Sequence, residues 1–470
     1  MKNLKSNLLI YPLLLVILSI WLISDTSAGS HLDWGGDYAG YLLQAQSISN
    51  GNVQELSDSL KKIVQLTDGE NYTFAQTPAP WGYPIFISTF EFFHQWDIVK
   101  LKYLNLFLNL FFLLIFYKSL RLFMDNYESL LFTTLLSMLP IFMEFHYKIL
   151  TEMLFSSLII LGFYLHLKSN FQDKSFHRYE AIIFGLSFLV RKQAIFWLVA
   201  YLLVSIINSK KTKKDDFVYI AFFFIPFILF YFILRVNPIG NAGPSAGEWG
   251  GFINVNFERL VFIFKEIGFL VTRFPNDLSS LVGLVILLLM TYFCVKDLNT
   301  QNLFLVVYSI FHMFYSINDT QRFWMPLVGI ILFQFLFYFH NIMKKYFPNI
   351  VISLSVIAIS IYWLNSAVVQ KNYYFTSNGP NNESFRELSN FISTQSQDNL
   401  YVFHSPRVFY YFTNYRSYRL GETIYPNSIF VCEKDTTSIC TDQRFTKVDI
   451  SNALNIFEND KFILYKLSNG

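Results

Sequence analysis

Apolar runs long enough to cross a lipid bilayer recur along this chain and limit the folds it can adopt. A bilayer core of about 30 Å takes roughly 20 helical residues, and helices satisfy their own backbone hydrogen bonds in lipid. Only 15% of the 470 residues are charged, against the roughly 25% of soluble domains. We therefore predict a mainly α-helical, polytopic membrane bundle of about eleven transmembrane helices.

The predicted transmembrane helices lie near 7–24, 99–118, 128–146, 150–168, 179–190, 193–209, 217–235, 278–295, 302–317, 323–341 and 349–367. Lys and Arg are concentrated in alternate connecting loops, which by the positive-inside rule predicts a cytoplasmic N-terminus. Loops 25–98 and 236–277 and the C-terminal tail then lie on the periplasmic or extracellular side of the cytoplasmic membrane. We interpret the first apolar run as a retained span rather than a signal peptide.

Two parts outside the predicted spans have patterns of their own. Loop 25–98 carries apolar residues at helical spacing, which predicts amphipathic helices lying at the membrane surface. Residues 371–470 read as a small exterior α/β domain after a membrane domain of residues 1–370. In this tail Ser384 and Glu387 match a capping box, and runs near 399–404 and 462–466 have the composition of strands. Glycine and proline make the first half of loop 236–277 flexible.

Two of the three cysteines, Cys432 and Cys440, lie in the predicted exterior tail. An oxidising compartment would allow a disulfide between them, and two free thiols are the alternative. Cys294 lies at the end of a predicted span, where we interpret it as apolar packing. The net charge of +3 is small and says nothing about nucleic acid, but the lack of a basic stripe on a soluble face argues against a nucleic-acid partner.

Asp37 is the first candidate for chemistry, because it precedes an amphipathic helix at the predicted outer membrane face. A carboxylate there can act as general base toward a hydroxyl or amine. The alternative is that Asp37 only caps the helix that follows. Asp33 lies four residues earlier. It either assists Asp37 or is a solvated side chain.

A second group of titratable residues is predicted at the same face: Glu152 opens a span, while Glu144 and His146 close the preceding one. Three such groups within nine residues indicate either an acid–base or metal cluster or a polar connector between helices. A divalent metal is therefore left open, and no other cofactor is indicated.

Cations on the predicted outer side form the third group. Arg191 and Lys192 interrupt an apolar stretch, against the positive-inside bias, and phosphate would be a suitable partner because arginine binds it bidentately. Snorkelling to lipid headgroups is the alternative. Arg322 follows Asp319 by three residues, which indicates either an ion pair in the connector or a second phosphate contact.

Together these features resemble the GT-C superfamily of membrane glycosyltransferases, above all the bacterial protein mannosyltransferases and lipid A aminoarabinose transferases. Asp37-Tyr38-Ala39-Gly40-Tyr41-Leu42-Leu43-Gln44-Ala45-Gln46 resembles the family's first exterior loop, with Asp37 in the catalytic position. The chain departs from many relatives at Tyr38, where an acidic residue is usual. Pro80–Pro84, Thr151-Glu152, Val190-Arg191-Lys192 and Arg322 with Pro326 resemble later elements of the family.

The resemblance implies an inverting sugar transfer from a polyprenyl-phosphate-linked donor to a lipid, glycan or protein acceptor. Asp37 would be the base and Glu152 a further catalytic residue. Arg191, Lys192 and Arg322 would hold the leaving phosphate, with Asp33 and Tyr41 in the substrate site. A lipid-linked polysaccharide polymerase or ligase is the nearest alternative. A transporter or flippase is the other, although the ionisable residues cluster at one face rather than at the bilayer midplane.

Overall fold

The computed structural model describes residues 37–57, 79–90, 98–146, 148, 150–208, 213–240, 257–272, 277–313, 321–374, 383–395, 399–402, 406–413, 417–419, 428–434 and 453–467. These residues fall into two compact units. One lies within Val99–Ile233 and Gly243–Tyr374, and the other within Ser30–Ile98, Leu234–Ala242 and Phe375–Gly470. The predicted first span, 7–24, lies outside the described residues.

In chain order, the described helices up to residue 240 are α1 (Asp37–Ser49), α2 (Gly82–Ser88), α3 (Ile98–Leu120), α4 (Asn126–Ser137), α5 (Pro140–His146), α6 (Thr151–Phe171), α7 (Phe176–Val190), α8 (Ile195–Asn208) and α9 (Lys213–Leu234). The remaining helices are α10 (Phe257–Thr272), α11 (Asp277–Lys296), α12 (Thr300–Met313), α13 (Gln321–Trp324), α14 (Val328–Tyr346), α15 (Asn349–Tyr374), α16 (Glu383–Ser393) and α17 (Pro406–Thr413). Short 3₁₀ turns at Lys192–Ala194 and Met325–Leu327 precede α8 and α14.

Most predicted spans coincide with these helices, but one prediction is wrong and one helix was not predicted. The predicted span 128–146 is two helices, because Pro140 begins α5 and cannot continue the hydrogen-bond ladder of α4. The second half of loop 236–277, for which no element was predicted, contains the 16-residue helix α10. Its apolar residues recur at helical spacing but are interrupted by charged ones. The segment therefore lacks the continuous apolar run by which the spans were predicted.

Five helices among the described residues are long and apolar enough to cross a bilayer: Tyr103–Leu120, Thr151–Phe171, Lys214–Leu234, Asp277–Lys296 and Arg322–Tyr346. Lys192–Asn208 and Asn349–Trp363 are shorter apolar helices. Several of these helices expose large apolar side chains, such as Phe217 and Phe232 on α9, at 72% each. Exposed apolar faces of this kind are expected where the neighbour is lipid.

Helices α10 and α11 form an antiparallel hairpin with touching backbones. A Cβ placed on Gly268 would lie 1.7 Å from the carbonyl oxygen of Ser279, and one on Gly283 would lie 1.8 Å from that of Phe264. Only glycine allows this approach, as in other closely crossing membrane helices. Helix α15 secures the end of α10, where Trp363 Nε1 donates to the Val271 carbonyl at 2.8 Å.

The second unit contains α1, α2 and a small α/β domain. Its strands are β1 (Asn399–Val402), β2 (Ser417–Arg419), β3 (Ser428–Glu433), β4 (Ala453–Glu458) and β5 (Phe462–Leu467), in the order β2-β1-β3-β5-β4. β1 pairs in parallel with β2 and β3, while β5 is antiparallel to β3 and β4. The two predicted strands are β1 and β5.

The predicted capping box in this domain is wrong. Helix α16 begins at Glu383, so Ser384 lies inside its first turn. Asn459 Nδ2 instead donates to the Ser384 carbonyl at 2.8 Å and to Glu387 Oε2 at 3.1 Å, which ties α16 to the turn before β5. Cys432 in β3 is disulfide-bonded. Its predicted partner Cys440 lies outside the described residues, so that pairing stays a prediction.

Candidate functional site

Three helix ends of the first unit bring Glu152, Arg191 and Arg322 together. Glu152 lies in the first turn of α6, where the helix dipole favours a carboxylate. Arg191 follows the last residue of α7 and has an extended backbone, which separates α7 from the next 3₁₀ turn. Arg322 lies on the short helix α13, just before the 3₁₀ turn that contains Pro326. Each side chain is therefore fixed at a point where a helix begins or ends.

One oxygen atom joins the three side chains. Glu152 Oε1 accepts from a terminal guanidinium nitrogen of Arg191 at 3.1 Å and from Nε of Arg322 at 2.5 Å. Glu152 is fully buried, Arg191 is 8% exposed and the Arg322 side chain is 17% exposed. A buried carboxylate of this kind persists only because it is paired and hydrogen-bonded. Hydrogen bonding to Glu152 therefore explains why two cations gather here.

Aromatic rings and a methionine sulfur lie around this cluster. The Arg191 guanidinium lies 5.0 Å from the ring centroid of Phe323 and 5.9 Å from that of Phe155. Ser156 Oγ lies 3.1 Å from the sulfur of Met325, which links α6 to the turn after α13. These contacts hold the arginines in a setting of low polarity, where charge interacts strongly with charge.

Trp324 follows Arg322 by two residues on α13 and carries a buried donor. Its side chain is fully buried, yet its indole N–H has no hydrogen-bond partner among the described residues. Its ring centroid lies 6.0 Å from that of His312 and 6.2 Å from that of Tyr308. Buried indole N–H groups usually find an acceptor, and that of Trp81 is likewise unpaired among the described residues.

The electrostatics of the cluster favour an anion. With both guanidinium groups and the carboxylate ionised, Glu152, Arg191 and Arg322 carry one surplus positive charge. Arginine binds phosphate and carboxylate oxygens through charge-assisted hydrogen bonds, which are shorter and stronger than neutral ones. The predicted pairing of Arg322 with Asp319 stays untested, because Asp319 lies outside the described residues.

The other predicted site residues lie outside this cluster. Asp37 is the first residue of α1 and is half-buried, and Tyr41 is buried on the same helix, with both in the second unit. Lys192 is half-buried in the 3₁₀ turn after Arg191. Asp33 lies outside the described residues. Among the residues that the structure describes, no group of three His, Cys, Asp or Glu side chains could hold a metal, but the predicted candidates Glu144 and His146 have no described side chains.

A second buried polar cluster was missed by the sequence reasoning. Glu180 in α7 is fully buried, and its Oε1 accepts from Tyr219 at 2.8 Å and from the indole N–H of Trp197 at 3.1 Å. His166 and His177 lie 3.2 and 3.1 Å from its two oxygens. The signal was available, because an acid within a predicted span is rare and marks a partnered or functional position. We refer to these five residues as the Glu180 cluster.

Neither a protein-family model nor a curated protein matches this chain. A crystal structure of ArnT from Cupriavidus metallidurans bound to undecaprenyl phosphate does, with 97% of each chain covered, a TM-score of 0.55 and 9% identity. The same protein in its apo state covers 98% of each chain, with a TM-score of 0.54 and 10% identity. This chain has the ArnT fold.

The similarity to ArnT confirms the predicted fold class, a mainly α-helical membrane bundle with a small α/β domain after it. The chain is therefore a multi-pass membrane protein. At 9% and 10% identity the similarity to ArnT is one of fold. Catalytic and binding roles must be argued from this chain's own residues.

Proposed function

We propose that this protein is a glycosyltransferase that takes a sugar from a polyprenyl-phosphate-linked donor. The observation that carries the proposal is the buried cluster of Glu152, Arg191 and Arg322, with its surplus positive charge, in a chain with the ArnT fold. ArnT itself has been crystallised with undecaprenyl phosphate. A membrane-embedded anion site in the same fold fits a lipid phosphate.

In this proposal Asp37 accepts the proton of an acceptor hydroxyl or amine, whose O or N attacks the anomeric carbon with inversion. The bond from that carbon to the phosphate oxygen breaks, and polyprenyl phosphate leaves with the bond's electron pair. The phosphate thereby passes from a singly charged diester to a doubly charged monoester. Cations that meet this growing charge stabilise the transition state more than the ground state.

The arginines then act as the phosphate clamp, with Lys192 as a further cation beside Arg191. Glu152 contacts both guanidinium groups, and its burial favours a positioning role over proton transfer. The unsatisfied indole N–H of Trp324 adds a neutral donor for a phosphate or sugar oxygen. The acceptor would be a lipid, glycan or protein on the outer side of the cytoplasmic membrane, with a cytoplasmic N-terminus and an exterior C-terminal domain.

Asp37→Asn tests the proposed base. General base catalysis contributes about 10²–10⁴-fold in rate, so we expect kcat for transfer from a polyprenyl-phosphate-linked sugar to fall by that factor. Binding of polyprenyl phosphate should stay near the wild-type affinity, because the amide keeps the shape of the side chain. The measurement is single-turnover transfer in nanodiscs with a radiolabelled sugar.

Asp173→Asn is the matched control for this test. Asp173 is an exposed aspartate that accepts hydrogen bonds from the backbone N–H and hydroxyl of Ser175. Its replacement should leave transfer unchanged. Wild-type rates in Asp37→Asn would remove Asp37 as the base, and a wild-type protein inactive with every polyprenyl-phosphate-linked sugar would overturn the glycosyltransferase itself.

A further inference from the structure

Helix α1, which carries Asp37, depends on its neighbours for its position. It has 13 residues, a length at which isolated helices are marginal in water. Most of its circumference is covered, because its buried residues point to most sides of the helix: Tyr38, Ala39, Tyr41, Leu42, Gln44, Ala45 and Ser47. Two helices of the same unit, α2 and α17, pack against it.

The contact of α1 with α2 is local in sequence. The ring of Tyr41 meets that of Tyr83 edge-on, with centroids 5.3 Å apart. Gln44 Nε2 donates to the Ala79 carbonyl at 3.0 Å. Trp81, just before α2, is fully buried and packs in one cluster with Val53 and Val236. Residues 79–83 therefore support one side of α1, and Val236 packs with Trp81 behind them.

Helix α17 comes from the C-terminal domain and is anchored deep within it. Phe409 and Phe412 both meet the ring of Phe385 in α16, with centroids 5.3 and 5.4 Å apart. Phe385 in turn lies 6.1 Å from Phe462 of β5, and Val408 and Phe409 are fully buried. A helix of eight residues keeps its place only through such packing. The sheet thus fixes α17, and α17 packs on α1.

We propose that the C-terminal domain is a positioning element for the transfer site: through α17 it holds α1 so that the Asp37 carboxylate is presented correctly. The inference rests on the proposed function for its catalytic meaning, since Asp37 is the proposed base. Its structural part, the coupling of α1 to α17, stands independently of that function. General base catalysis is steep in distance, and a displacement near 1 Å can cost about 10²-fold in rate.

Phe409→Ala tests the proposal, because it removes the fully buried one of the two α17 rings that meet Phe385. We expect kcat to fall at least tenfold, while the KM for the lipid-linked donor changes less than threefold. Hydrogen exchange of the amides of residues 37–49 should accelerate together with those of 406–413. Amides of α6 and α7 should keep wild-type protection. A general loss of folding would instead move all of these readouts together.

Phe457→Ala is the matched control, since Phe457 pairs with Phe391 at 4.9 Å in the same domain. It lies on β4, at the opposite edge of the sheet from β2. This variant should leave kcat and the exchange of residues 37–49 unchanged. If Phe409→Ala speeds exchange in 406–413 while exchange in 37–49 and kcat stay at wild-type values, the proposal is overturned.

A measurement on the wild-type protein covers the case in which Phe409→Ala does not fold. Native-state hydrogen exchange at increasing denaturant identifies segments that open as one cooperative unit. We expect residues 37–49 and 406–413 to open with the same free energy and denaturant dependence. Separate opening of the two helices would overturn the coupling. This measurement needs no sugar transfer, so its result is distinct from a failure of the proposed function.

Discussion

The guanidinium groups of Arg191 and Arg322 share one acceptor atom, Oε1 of Glu152. The two donor nitrogens therefore lie within about 6 Å of each other, where like charges repel by a few kcal/mol at an effective dielectric constant of 20. The single carboxylate offsets part of this repulsion. An anion that reached both groups would offset the rest, which makes the pair a ready site for phosphate.

Arg322→Ala should weaken the binding of polyprenyl phosphate by about 10–150-fold, the value of a charge-assisted hydrogen bond of 1.5–3 kcal/mol. Titration of undecaprenyl phosphate into protein in nanodiscs, followed by tryptophan fluorescence, measures the affinity. Arg178→Ala is the control, because that guanidinium lies 5.7 Å from the Phe222 ring in the same unit. Equal affinities of Arg322→Ala and the wild type would contradict the phosphate role.

Tyr411 in α17 gives the C-terminal domain a sensitivity to alkaline pH. Burial raises the pKa of Tyr411 to about 12, from about 10 in an unfolded chain. The unfolded chain then loses its proton first, so the stability that this group contributes is complete below pH 10 and is lost as pH rises toward 12. Tyr411→Phe should lose less stability over that range, as monitored by exchange of the amides of residues 399–413. Identical profiles for the variant and the wild type would contradict the assignment.

At the scale of elements, some glycines of the first unit lie against the backbone of a neighbouring helix, and others lie against a side chain. The cost of replacing each glycine depends on which of the two it contacts. A Cβ on Gly283 would meet the carbonyl of Phe264, and one on Gly185 would meet that of Phe223 at 2.0 Å. At Gly329 the obstacle is instead the end of the Phe112 ring, at 2.8 Å. A ring can rotate away, whereas two packed helix backbones must separate.

Gly283→Ala and Gly185→Ala should therefore destabilise the protein by about 1–3 kcal/mol, the usual cost of overpacking. Gly329→Ala is the matched control, and its overlap with Phe112 is countered by the roughly 1 kcal/mol that alanine gains in a helix. Thermal unfolding in detergent ranks the three variants. A Gly283→Ala protein as stable as Gly329→Ala would show that α10 and α11 do not cross as described.

Hydropathy predicted the elements whose whole length is apolar, and it failed where packing rather than lipid fixes a helix. Helix α10 has charged residues, Lys265 and Glu266, within its apolar pattern. Its packing against α11 is seen only in the glycine contacts of the structure. The division of 128–146 into α4 and α5 was visible at Pro140, but the apolar run across it outweighed that signal. Local composition thus predicts the existence of a helix more accurately than the residues at which the helix begins and ends.

For the whole molecule, charge pattern and resemblance were enough to predict the fold class. Loop charges also predicted that Glu152, Arg191 and Arg322 lie on one side of the membrane, although they did not predict that one oxygen joins them. Glu152 and Arg322 are 170 positions apart, and no spacing rule connects residues at that separation. The same is true of α1 and α17, whose contact joins loop 25–98 to the C-terminal tail.

The Glu180 cluster has a consequence for how the chain enters the membrane. Glu180 is the fifth residue of α7, near the start of the helix rather than at its centre. Its carboxylate contacts groups from four helices, which are His166 of α6, His177 of α7, Trp197 of α8 and Tyr219 of α9. Because a buried carboxylate needs such partners and Tyr219 is synthesised last, we expect the cluster to be complete only after α9 has entered the membrane.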